Sequence, residues 1–60
     1  MSKLVRFVDV LEEGVVFVNP ELVRAVRPGR AGGTLIQFDQ EHHVLVNAEL
    51  EDAVMALNNA

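Results

Sequence analysis

The sequence predicts an α+β fold: a small antiparallel sheet of about five short strands with one C-terminal helix, in a single small domain spanning residues 1–60. Three observations predict it. Valine-rich stretches recur between polar or glycine-bearing breaks, the pattern of strands and turns. The closing segment NAELEDAVMALNNA carries apolar residues at helical spacing behind a cluster of acids. Sixty residues supply one core at most, because a chain this short hides only ~60% of the surface its unfolded form exposes.

The first strand is expected over 4–11. Its apolar residues fall on both parities, Leu4, Val8 and Val10 on one face and Val5, Phe7 and Leu11 on the other, so both faces call for cover. Glu12, Glu13 and Gly14 form a polar break with a glycine able to take φ > 0. VVFVN then completes a hairpin of 4–11 with 14–19. Two signals compete in NPELVRAV. Asn19 as N-cap, Pro20 at the first helical position and Glu21 in the first turn start a helix, and Pro28 stops one. Two turns of helix have little stability of their own, and Leu22, Arg24 and Val26 alternate with Val23, Ala25 and Arg27. One helical turn at 20–22 and a strand at 23–27 reconcile the two. PGRAGG is a loop, TLIQFD and HVLVN form a second hairpin of 34–39 with 43–47, and a helix follows over 48–58. Asn47 is expected to cap it, with Glu49, Glu51 and Asp52 at the positive end of its dipole and Leu50, Ala53, Val54 and Leu57 on its inner face.

One helix covers one face of a sheet. The other face, and the small size of the core, call for help that small domains draw from disulfides, metals or self-association. The chain has no cysteine and only two neighbouring histidines, so self-association is expected, most simply a homo-oligomer that is a two-fold dimer. A net charge of −4 repels nucleic acid and anionic membranes on average. Arg6 and Asp9 interrupt the apolar N-terminal run, and no stretch approaches the ~20 apolar residues of a membrane span. A cytoplasmic location without membrane insertion is expected, in keeping with the missing cysteine.

No residue pattern points to catalysis or to a cofactor. Glu12 and Glu13 read as a solvated turn. Gly29, Gly32 and Gly33 lack the lysine, hydroxyl and following helix of a phosphate loop. His42 and His43 are adjacent and would point to opposite faces of a strand, so no metal site is predicted. The hydroxyls Ser2 and Thr34 have no base beside them in the pattern. Arg24, Arg27 and Arg30 are the candidate partner-binding residues: three arginines within seven residues of an acidic chain, with no carboxylate among them. They fit the guarding of an edge strand or contact with a second subunit, and secondarily an anion or nucleic acid, although no aromatic residue for base stacking accompanies them.

The order VFVNPELVRAV, a glycine-bearing loop, TLIQFD and HVLVNAELEDAV resembles small bacterial flagellar proteins of the FlbD (SwrD) type, over about residues 4–57. Val18, Asn19, Pro20, Glu21, Leu22 and Val23 carry the turn of that pattern. The resemblance implies a non-catalytic role linked to the flagellum. Residues 16–57 are also similar to the second half of LytTR-type DNA-binding domains, which would imply a transcriptional regulator. The expected function is therefore a small interaction or regulatory module that self-associates, with a nucleic-acid-binding regulator using the arginine edge as the alternative.

Overall fold

A computed structural model describes residues 3–60. Five strands, β1 (Val5–Asp9), β2 (Gly14–Val18), β3 (Ala25–Pro28), β4 (Thr34–Gln37) and β5 (His43–Val46), form one sheet, and a helix, α1 (Leu50–Asn58), follows. The strand order is β2-β1-β5-β4-β3, every neighbouring pair antiparallel. This is the α+β architecture that the alternating valines and the terminal helix pattern predict. Strands β2 and β3 are the two edges, linked through residues 19–24.

Each hairpin is set by a side chain that ends its strand. Asp9 Oδ1 accepts from the amides of Leu11, at 2.9 Å, and Glu12, at 3.1 Å, which bends the chain away from the sheet. For this reason β1 stops at Asp9 rather than continuing to 11. Asp39 Oδ1 does the same for the amides of Glu41 and His42, both at 2.8 Å. The left-handed residue of the first turn is Glu13, at φ 55°, and not the neighbouring Gly14. A side chain in that region costs ~1–2 kcal/mol, so Glu13→Gly is expected to stabilise the fold by about 0.5–1 kcal/mol, after the extra freedom of glycine in the unfolded chain is set against the relief. A rise in the urea midpoint at constant slope would check it.

The Asn19-Pro20-Glu21 start makes one 3₁₀ turn, Pro20–Leu22, and no more. Asn19 Oδ1 accepts from the Glu21 amide at 3.0 Å. Arg24 then donates its amide to the Gln37 carbonyl at 2.9 Å, and the ladder to β4 begins at Ala25. The strand starts two residues later and ends one residue later than the expected 23–27: Val23 closes the turn as its C-cap, and Pro28, lacking an N–H, is tolerated on an edge. The PGRAGG loop also contains a short 3₁₀ turn, Arg30–Gly32, with Ala31 at φ 54°. A Cβ on Gly29 would overlap Leu45 Cδ1, and one on Gly33 would lie 2.8 Å from the Val46 carbonyl oxygen. The loop therefore lies directly against β5, and these glycines are needed for the close approach rather than for a turn alone.

The cap of α1 differs from expectation. Its N-cap is Glu49, without a side-chain hydrogen bond, and Asn47 stays in the sheet, its backbone N–H donating to the Val8 carbonyl at 2.8 Å. That bond, with Val10 N–H to the Leu45 carbonyl at 2.8 Å, joins β1 to β5. Asn47 extends the sheet contact, and the helix begins after it. The core lies between the sheet and α1: Phe7, Val18, Ile36 and Val46 from the strands and Ala53 from the helix are buried. Ala53 is the helix residue closest in, with Ala56 and Leu57 packed beside it. Val54, expected inside, is 39% exposed, since the small Ala53 lets the helix settle on a neighbouring stripe.

Candidate functional site

Register divides the sheet into two faces of different character. Val5, Phe7, Val16 and Val18 share the core face of the first hairpin, and Thr34, Ile36, Val44 and Val46 that of the second. The opposite parity presents Arg6 beside Phe17 and Val8 beside Val15, then Leu45 beside Leu35 and His43 beside Gln37. Leu35 and Leu45 are half-buried, and the Gly29–Gly33 loop lies against Leu45. Nothing of the described chain covers the first hairpin in the same way. Leu4, Val8, Val10, Val15 and Phe17 are 61, 39, 42, 50 and 59% exposed. Large apolar side chains exposed singly are ordinary, but a contiguous set on one hairpin marks a contact surface.

This hairpin was not among the residues expected to bind. Its signal was nevertheless in the sequence, as apolar residues on both parities of 4–11 and an unbroken VVFV. Between its tip and the Arg30–Gly32 turn is an open depression of about 380 Å³, lined among others by Val8, Val10, Glu13, Arg30 and Asn47.

The three arginines do not converge. Arg27 is on β3, across from Leu35, Arg30 lines the depression at the hairpin tip, and Arg24 borders a separate hollow with Gln37, Asp39 and Gln40. All three are exposed, and among the described residues none has a carboxylate within ion-pair distance. Arg24 and Arg27 lie along the β3 edge with ~10 Å of strand between them, and Arg30 is in the turn that follows.

The β4–β5 turn holds the sole ion pair of the described residues, His42 Nδ1 to Asp39 Oδ2 at 2.8 Å. Hydrogen bonding from the His42 ring, then from the Glu41 and His42 amides, lowers the Asp39 carboxyl from an ordinary 3.8 to about 2. A depressed carboxyl favours the folded form while ionised. Its contribution is complete above pH 3.8 and is lost as pH falls through about 2. An NMR titration of the Asp39 side chain should give a midpoint near 2, whereas one near 3.8 would show the turn to be open in solution. His43 is exposed in β5, next along the chain to His42 and outside this pair. Among the described residues no three of His, Cys, Asp and Glu gather as a metal-binding group, and no helix is long and apolar enough to cross a membrane.

Comparison with family models, with curated proteins and with solved structures gives no match to this chain.

Proposed function

We propose that the chain is a small, non-catalytic interaction module of the cytoplasm that acts as a self-associated unit, most simply a dimer. The observation that carries this is the exposed apolar surface of the β1–β2 hairpin, Leu4, Val8, Val10, Val15 and Phe17. Its counterpart on the β4–β5 side is covered by the chain's own loop. Burial of that surface against another protein surface would add to a core that comprises few fully buried side chains. The order of apolar residues around VNPELV, similar to small flagellar proteins, supplies the proposed setting, a regulatory or assembly role at the bacterial flagellum.

Unfolding tests the reading without knowledge of a partner. For a module that folds as an associated unit, the thermal midpoint rises with protein concentration. A midpoint unchanged between micromolar and millimolar chain would contradict it. The second reading, a nucleic-acid-binding regulator, is favoured by the exposure of Arg24, Arg27 and Arg30 without carboxylate partners. It requires duplex binding that weakens linearly with the logarithm of salt. The net charge of −4 and the dispersal of the arginines over separate parts of the surface favour the first reading.

A further inference from the structure

We propose that the free edge of β2 is the self-association site, and that it takes the same edge of a second copy of this chain in antiparallel pairing. Two five-stranded sheets then become one. The inference rests on the self-association reading and adds to it the strand, the direction and the register.

The two edges of the sheet differ in how they are protected. β3 carries Arg27 and Pro28, with Arg24 just before it, charges and an imino acid of the kind that discourage further pairing. β2 is GVVFV, five residues with neither charge nor proline, and no backbone hydrogen bond beyond β1 engages it among the described residues. A β2-to-β2 contact uses up both unguarded edges and leaves both guarded ones outermost, so it closes as a two-fold pair. A β2-to-β3 contact would leave an unguarded edge after every addition and would grow into a fibre.

Register follows from the strand's own residues. With Val16 on the two-fold axis, Phe17 is across from the second copy's Val15 on the open face, an aromatic and β-branched cross-strand pair. Gly14 is then across from the second copy's Val18, where a larger side chain would crowd the core.

The absence of native cysteine permits a direct test. In Val16→Cys, two thiols meet across the axis at ~4.5–5.5 Å between Cβ atoms, near the separation a disulfide needs, so oxidation should give a cross-linked dimer. Should circular dichroism show that Val16→Cys disturbs the half-buried position, a mixture of Val15→Cys and Phe17→Cys chains replaces it. Both sites are exposed, and the mixture should cross-link in excess of either variant alone. In the unmodified chain, β2 amides should exchange at least tenfold more slowly at dimeric than at monomeric concentration. Phe17→Lys should raise the dissociation constant at least tenfold with its spectrum unchanged. A dimer without β2 amide protection and without these cross-links would overturn the edge pairing and leave self-association standing. A monomer at every concentration would overturn both.

Discussion

Ile36→Ala is expected to leave little folded protein. Ile36 is fully buried, at 0% exposure, in the middle of the core face of β4. It pairs with Val26 on one side and Val44 on the other. Truncation of such a side chain costs ~2–5 kcal/mol, the lost transfer of the removed groups plus the cavity left behind. A domain of this length has a total stability of only ~3–9 kcal/mol, scaled per residue. Circular dichroism of Ile36→Ala should show a large unfolded fraction at room temperature. A variant that melted close to the parent would mean that the core is centred elsewhere.

Thr34→Val comes next in expected size, although the two side chains are nearly the same shape. Thr34 is, among the described residues, the one buried polar side chain, at 0% exposure, and its Oγ1 donates to the Ala48 carbonyl at 2.7 Å. That bond ties the start of β4 to the segment leading into α1. Valine would fill the space but leave the carbonyl without this donor, a loss of ~1–3 kcal/mol for a buried group. The urea midpoint should fall at unchanged slope. A neutral result would show that water reaches Ala48 and replaces the hydroxyl.

Both positions were partly legible in the sequence. Alternation in TLIQFD puts Thr34 and Ile36 on one face, as found, whereas apolar residues on both parities of 4–11 left open whether Phe7 or Val8 faces the core. The single turn at Pro20–Leu22 was legible too, since the cap, proline and acid are a local signal and their partners are nearest neighbours. What the sequence did not disclose depends on contacts far along the chain. Asn47 has the chemistry of a cap, yet its backbone N–H pairs with the carbonyl of Val8, distant in sequence, so that Asn47 belongs to the sheet and the helix starts at Leu50. Gly14 has the freedom for a left-handed turn, but Asp9 fixes the turn one residue earlier and leaves Glu13 in that conformation. The glycines of PGRAGG read as turn residues, while their closeness to Leu45 and Val46 is what limits them.

The candidate site was legible only as a surplus. Valines and phenylalanine on both parities of the first hairpin showed that one helix could not cover them all. Which strands would stay open depended on the loop after β3 folding toward Leu45 and away from Phe17, which no local pattern encodes. The arginines attracted notice because they are rare and clustered. They are exposed and scattered, Arg24 and Arg27 along the β3 edge and Arg30 beside the tip of the first hairpin, and the unguarded β2 is at the opposite end of the sheet from β3.

Self-association is the claim on which the rest depends, and the mass of the unmodified chain in solution tests it most directly. Sedimentation equilibrium from micromolar to millimolar concentration should show the weight-average mass rise to twice the 6.6 kDa of one chain and level off there. A mass of 6.6 kDa across the whole range would contradict the account.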